Sequence, residues 1–344
     1  MSLMTSTAAP SSPEFQRNRE AYEARIADLH ERRARALIGG PEKARLLHKK
    51  RKQLLPRERL AAVLDPGSPF LEFGQLAGDG LYAGVPPGGS IITGVGLVCG
   101  RACMLMIHDA TVKGGTYYGI TAKKHVRAQM FAWQHRLPCV TLLQPGAQPP
   151  GAKQGVFADE GQFGSILYNQ TRMSREGIAQ ICSVHGPAAD AAAFVAAMCD
   201  EVVVVRERGA LAFGSAVPAP ADAERANRED GVTDRLAESD AHAIAILRDL
   251  VGHLGDVPKQ RRDVVAPREP LHDPREIYGL ISADPRVPAT KQPAPSMLDR
   301  RSVYLAGSRE AIAGLLHRRG DALYAGLKPE RATVLHRVAQ KDAP

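Results

Sequence analysis

Two strand-to-helix turns hold the residues whose types and spacing suit chemistry. Gln144-Pro145-Gly146-Ala147-Gln148 follows the β-branched run Val140-Thr141-Leu142-Leu143, and Gly186-Pro187-Ala188-Ala189-Asp190-Ala191-Ala192-Ala193-Phe194 follows Ile178 to Val184. A chain that leaves a buried strand and enters a helix leaves its first backbone N–H groups without intrahelical acceptors. Such groups suit an anion or a polarised oxygen. No Gly-x-Ser-x-Gly elbow accompanies them, so nothing points to a serine hydrolase.

Other reactive side chains have bland readings. Cys99, Cys103, Cys139, Cys182 and Cys199 are scattered among apolar strand residues with no Cys-x-x-Cys pair and no zinc spacing, which predicts buried, reduced thiols and no metal site. His108, His125, His135 and His185 lack a convergent Cys, Asp or Ser pattern and read as structural. Lys123 and Lys124 stand at a helix start, against the dipole preference, and read as solvated lysines, with a phosphate contact as the alternative. Trp133, Met104 and Met106 read as core.

The elements that position the turns alternate. Phe15 to Ile38 carries Tyr22, Ile26 and Leu29 at helical spacing and stops at Gly39-Gly40, and a second helix starts near Pro41. Asp65-Pro66-Gly67 is a turn, and Phe70 to Phe73 reads as a short strand. Ser90 to Val98 and Cys103 to Ile107 pair around Cys99-Gly100-Arg101. Helices at Ala122 to Gln134, Glu160 to Met173 and Ala188 to Met198 then alternate with strands at Val140 to Leu143, Ile178 to Val184 and Glu201 to Val205. That order implies a parallel sheet with helices outside it. A helix from Ala237 to Leu254 follows; beyond Pro258, proline is frequent and only Arg309 to Arg318 looks helical.

The net charge of +8 is concentrated, because residues 1–60 hold fourteen Lys or Arg against seven Asp or Glu. A basic arm suits a phosphorylated ligand, but no aromatic interleaving or nucleic-acid motif accompanies it, which argues against nucleic acid. Neither a long apolar run nor a secretory leader is evident, so a cytoplasmic protein with no membrane partner is expected.

An ordered set of matches runs through the chain: Gly88-Gly89-Ser90-Ile91-Ile92-Thr93-Gly94, Asp109-Ala110-Thr111-Val112-Lys113-Gly114-Gly115-Thr116-Tyr117-Tyr118, Arg136-Leu137-Pro138-Cys139, Tyr168-Asn169-Gln170 and Ile178 to Ile181. It extends back to His30-Glu31-Arg32 and Leu54 to Arg59, and forward to Gly231 to Asp234 and Ile277-Tyr278-Gly279. On these residues the chain resembles the carboxyltransferase (beta) subunit of biotin-dependent acyl-CoA carboxylases, nearest the methylcrotonoyl-CoA type.

The resemblance implies an α/β fold with a crotonase-type (ClpP-like) superhelical domain and an N-terminal helical lead-in. Together with the composition of the two ends, it divides the chain into a disordered tail (1–14), a basic helical lead-in (15–64), the acyl-CoA carboxyltransferase N-terminal-type domain (65–257) and an irregular extension (258–344). It implies oxyanion sites at Gly146, Ala147, Ala191 and Ala192, and acyl-CoA contacts from Gly114, Gly115, Tyr117 and Phe194. The family carries Ser-Gly-Gly-Ala and Gly-Gly-Ala-Tyr at the two turns; here Pro145-Gly146-Ala147-Gln148 and Ala191-Ala192-Ala193-Phe194 replace them. Pro145 has no N–H, and alanine enters positive φ only at a cost.

The resembled subunits pair this half with a biotin-receiving half, and the matches thin beyond Tyr278. Acyl-CoA is therefore the implied ligand, no cofactor is expected to be bound covalently, and carboxybiotin is expected only through a partner. The implied partners are a separate biotin-half subunit, a biotin carboxylase and a biotin carrier, in a homo- or hetero-oligomer. Three readings stay open: the acyl-CoA half of a split carboxyltransferase of low or no independent activity, a non-catalytic scaffold or regulator of a carboxylase assembly, and a biotin-independent acyl-CoA decarboxylase.

Overall fold

The computed structural model describes residues 9–81, 87–146, 159–213, 231–255 and 273–284. Two compact units divide the chain, one of Met1–His30 with Gln260–Pro344 and one of Glu31–Lys259. In the first, Phe15 is buried and its ring packs on Gly279, where a Cβ would lie 2.4 Å from the ring edge. Asn18 ties the same pieces together, donating to the Gly279 carbonyl at 3.3 Å and accepting from the Ala283 N–H at 2.9 Å. The matched Gly279 therefore has a packing reason.

The second unit is built on a seven-stranded sheet. The helix α1 (Pro13–Ile38) runs from the first unit into the second, and α2 (Glu42–Lys50) and α3 (Pro56–Val63) precede the sheet in the chain. Its strands are β1 (Leu71–Phe73), β2 (Ile91–Val98), β3 (Arg101–His108), β4 (Cys139–Leu143), β5 (Gln180–Val184), β7 (Glu201–Val205) and β9 (Arg235–Ala237), adjacent in that order. Antiparallel pairing joins β1 to β2 and β2 to β3, and every later pair is parallel. The β2–β3 hairpin closes through Cys99 and Gly100, both at positive φ (50° and 73°), the two-residue turn whose twist matches the strands. β6 (Pro187–Ala189) and β8 (Ala210–Ala212) form a separate two-stranded parallel sheet.

Crossover helices cover both faces, so every residue of β4 and β5 is buried, the polar Thr141, Gln180 and Ser183 included, and neither strand alternates strictly between apolar and polar. On one face Leu142, Ile181 and Val203 pack against Leu60 of α3 and Leu247 of α7 (Asp240–His253). On the other, Leu143, Cys182 and Val204 meet α5 (Phe163–Arg175) and α6 (Ala191–Ala197), while Met104 and Met106 meet α4 (Gly119–His135). Alternation of Cβ direction sorts these residues, odd positions of β5 facing α3 and α7.

Several elements differ from expectation. The helix expected from Ala188 begins at Ala191, because Pro187–Ala189 pairs with β8 and Asp190 turns the chain at φ 49°. The helix expected from Ala237 begins at Asp240: Ala237 closes β9, and the Ser239 hydroxyl caps α7 by accepting from the His242 N–H at 3.2 Å. Pro56–Val63 is a further helix, with proline in its first turn and Glu58 accepting from the Leu55 N–H at 2.7 Å. A four-residue helix, α8, spans Ile277–Leu280. Arg309 to Arg318 lies outside the described residues. No helix among the described residues is long and apolar enough to cross a membrane.

Candidate active site

Because β3, β4 and β5 run parallel, the loops that follow them leave one edge of the sheet, the carboxyl edge where open α/β sheets bind ligands. The loop after β3 folds on Asp109, whose Oδ1 accepts from the N–H of Thr111 at 2.9 Å and from its hydroxyl at 2.5 Å. Lys113, Gly114 and Gly115 then follow at φ 48°, 72° and 85°. Glycine makes two of these three left-handed steps inexpensive.

That loop packs backbone to backbone on the turn after β4. A Cβ on Gly115 would lie 2.4 Å from the Gln144 carbonyl oxygen, and one on Gly146 would lie 2.1 Å from the Gly114 carbonyl oxygen. Gly186, after β5, completes the contact: a Cβ there would lie 2.9 Å from Gln144 Cγ. The structure therefore brings Gly114, Gly115 and Gly146 together and joins the β5 turn to them through Gly186.

Ala191 and Ala192 open α6. Ala193 and Phe194 donate back to the Asp190 carbonyl at 3.0 and 3.3 Å, whereas the amides of Ala191 and Ala192 have no backbone acceptor among the described residues. Ala191 is exposed and Ala192 is buried. Asp190, at φ 49° and ψ −127°, holds a conformation costly for a residue with a Cβ. Phe194 is 46% exposed and meets Phe213 edge-on at 5.4 Å. Ala147 lies outside the described residues.

Tyr117, a sequence candidate for the pocket, faces the core instead. It is 3% exposed, its ring meets Phe163 edge-on, and its hydroxyl joins His108 Nε2 at 2.9 Å to His125 Nδ1 at 3.0 Å. Burial pushes both imidazoles down to about 3 and the phenol well above its usual value. One neutral histidine donates to the tyrosine oxygen and the other accepts its proton.

Lys124 corrects the solvated reading. It is 6% exposed and donates to the carbonyls of Gly88 and Ile91 at 3.0 and 2.6 Å, and burial lowers its ammonium to about 8. Lys123 is exposed. Cys99 is also exposed, while Cys103, Cys139 and Cys182 are buried and all five thiols are free.

Sequence reasoning missed a polar cluster behind the edge. His185 Nδ1 lies 3.0 Å from Asp240 Oδ1, His185 Nε2 lies 2.8 Å from Ser183 Oγ, and Arg59 binds Asp240 Oδ2 through Nε and Nη2 at 3.1 and 2.9 Å. His185 thus does have convergent Ser and Asp partners, although it is buried and satisfied. Burial opposes the charge of Asp240, but the His185 hydrogen bond and the Arg59 charge outweigh it and hold the carboxyl far below its usual range. Burial, then the Arg59 charge, lowers His185 to about 4. The i, i+2 spacing of Ser183 and His185 was the one local signal; Asp240 is 55 residues from His185 and 181 from Arg59.

Residues 47–297 match the carboxyl transferase domain family. The chain is 41% identical to the biotin-dependent 3-methylcrotonyl-coenzyme A carboxylase beta1 subunit of Mycobacterium tuberculosis, over 83% of this chain and 56% of that one. It is 39% identical to the mitochondrial methylcrotonoyl-CoA carboxylase beta chain of Arabidopsis thaliana, over 79% of this chain and 50% of that one. Among solved structures, the beta subunit of P. aeruginosa geranyl-CoA carboxylase superposes with a TM-score of 0.73 at 34% identity, covering 83% of this chain and 55% of that one. The chain thus spans about half the length of the curated relatives it matches.

Proposed function

Given that the chain belongs to the carboxyl transferase domain family and has its crotonase-type (ClpP-like) α/β fold, we propose that it is the acyl-CoA-binding half of a biotin-dependent acyl-CoA carboxyltransferase. The observation that carries this reading is the meeting of three loops at the carboxyl edge, with Gly114 and Gly115 packed on Gly146 and with amides at Ala191 and Ala192 that have no backbone acceptor among the described residues. Donors fixed before reaction favour charge that develops on a thioester oxygen when the neighbouring carbon becomes an enolate. In this reading Gly146, Ala147, Ala191 and Ala192 are the oxyanion positions, and Phe194 borders the acyl group. Carboxybiotin, carried by a partner, supplies the carbon dioxide. The names of the relatives favour a branched acyl group of the methylcrotonoyl kind.

The proposed setting is a cytoplasmic oligomer with a biotin carboxylase and a biotin carrier. One observation favours low turnover within the same reading: Pro145 supplies no N–H at the β4 turn, and an absent oxyanion donor lowers rate by about 10² to 10³. Calorimetric titration with coenzyme A, acetyl-CoA and 3-methylcrotonoyl-CoA tests the proposal. An acyl-dependent Kd near about 1 µM, or about −8 kcal/mol, supports it. Absence of binding to every ester overturns it. Binding without carboxylation in a mixture containing biotin carboxylase, carrier and a biotin half assigns the chain a scaffold role.

A further inference from the structure

The buried polar cluster behind the carboxyl edge reaches both turns. Asp240, 2% exposed, accepts through Oδ2 from Arg59 and from the Leu54 N–H (2.9 Å), and through Oδ1 from His185. Arg59 has no exposed surface, and its Nη1 donates to Gln144 Oε1 at 2.5 Å. Gln144 is the first residue of the β4 turn, and its Cγ fills the space above Gly186 in the β5 turn. The backbone adds one tie, from the His185 N–H to the Leu143 carbonyl at 2.8 Å.

A carboxylate only accepts, so neutral His185 carries its proton on Nδ1 and its Nε2 accepts from the Ser183 hydroxyl. This is the polarity of a hydrolytic triad. Ser183 and His185 have no exposed surface, however, and on their face of the sheet lie the apolar side chains of α3 and α7. The hydroxyl has no route to a substrate. What the cluster can do is hold position: Arg59 is fixed at two points by one carboxylate, so its third donor fixes Gln144.

We propose that Arg59 and Gln144 are positioning residues that latch the β4 turn to the β5 turn, with Asp240 as the shared anchor. The latch rests on the acyl-CoA reading only for its purpose, which is to keep the Gly146 amide in register with those of Ala191 and Ala192. The fixed point is the buried ion pair, and what it holds are Gln144 in the β4 turn and Gly186 in the β5 turn.

Gln144→Met cuts the latch without removing the partner of either buried charge, and Gln144→Glu keeps an acceptor for Arg59. Hydrogen exchange of the two variants is the test. A hydrogen bond to a charged group is lost in Gln144→Met, so amides of both turns, at positions 144 and 146 and at Gly186 and Ala188 to Asp190, exchange about tenfold or more faster, with β3 and β7 unchanged. Gln144→Glu restores protection. Arg59→Lys, which keeps the charge for Asp240 but loses the fork, loosens the same two segments. In calorimetry the affinity difference between 3-methylcrotonoyl-CoA and coenzyme A falls about tenfold in Gln144→Met and returns in Gln144→Glu. Faster exchange confined to the β4 turn, or unchanged exchange in Gln144→Met and Arg59→Lys, overturns the latch. A wild-type chain that binds all esters as it binds coenzyme A counts against the acyl-CoA reading, and the exchange result still decides the latch.

Discussion

Gly114 and Gly115 are neighbours with the same backbone demand and different surroundings, and that difference predicts different consequences for alanine. Both sit at positive φ, 72° and 85°, where an L residue costs about 1–2 kcal/mol. Around Gly114 a new Cβ meets nothing within 4 Å. Around Gly115 it meets the Gln144 carbonyl oxygen at 2.4 Å and the Gly146 nitrogen at 3.0 Å, both backbone atoms of the β4 turn. Heavy atoms prefer separations of about 3.5–4.0 Å, so the turn must move by about an ångström. Overpacking of that kind adds about 1–3 kcal/mol.

Gly114→Ala is therefore expected to lose about 1–2 kcal/mol and Gly115→Ala about 2–5 kcal/mol. At about 2–4 °C per kcal/mol, these losses separate in a thermal melt. Function separates them further. An ångström of misplacement at a reacting group can cost about 10²-fold, so Gly115→Ala loses acyl-dependent binding or turnover while Gly114→Ala keeps it. Calorimetry on both variants at a temperature where each is folded is the assay. Equal losses of stability and equal ester affinities would refute the claim that the β3 loop sets the β4 turn.

Stability is expected to fall as pH drops from about 6.5 towards 4, because His185 titrates near 4, and His108 and His125 near 3, against about 6.5 in the unfolded chain. The unfolded state binds more protons throughout that window, giving a slope of at most about 4 kcal/mol per pH unit for three such groups. Asp240 adds no slope there: its carboxyl is held low, so its contribution is present above about 3.9 and lost only below that value. A melting temperature that stays flat from pH 7 to pH 5 would contradict buried neutral imidazoles. Tyr117→Phe leaves His108 and His125 without their shared partner and is expected to cost about 1–3 kcal/mol for each nitrogen stranded, with ester affinity retained. Unchanged stability with lost ester affinity would instead assign Tyr117 to the pocket.

The sheet was legible where local chemistry and final burial agree. Val140 to Leu143 and Val202 to Val205 are short runs, rich in β-branched residues and too short for a buried helix, that suit a strand covered on both faces, and Cys99-Gly100 marks the hairpin. β6, β8 and β9 have three residues each and exist through pairing, so Pro187-Ala188-Ala189 carries no strand signal of its own. The two turns and the Gly114-Gly115 pair were visible as positions, but their contact was not, since it depends on how close two backbones come. Lys124 and Arg59 escaped for a shared reason. Charge in a sequence predicts solvent, and only tertiary structure supplies the Gly88 and Ile91 carbonyls or the Asp240 carboxylate that let a cation be buried.

Acyl-CoA is expected to bind at the carboxyl edge of the parallel strands. A cleft of about 330 Å³ lies at the opposite end of the parallel strands, lined by Arg101, His135, Arg136 and Ile178 among others. The direct test is hydrogen exchange of the chain with and without saturating 3-methylcrotonoyl-CoA. Binding at the carboxyl edge protects Asp109 to Tyr118, Gln144 to Gly146 and Gly186 to Phe194, and leaves the segments around Arg136 and Ile178 unaffected. Protection confined to Arg101, Arg136 and Ile178 would contradict it.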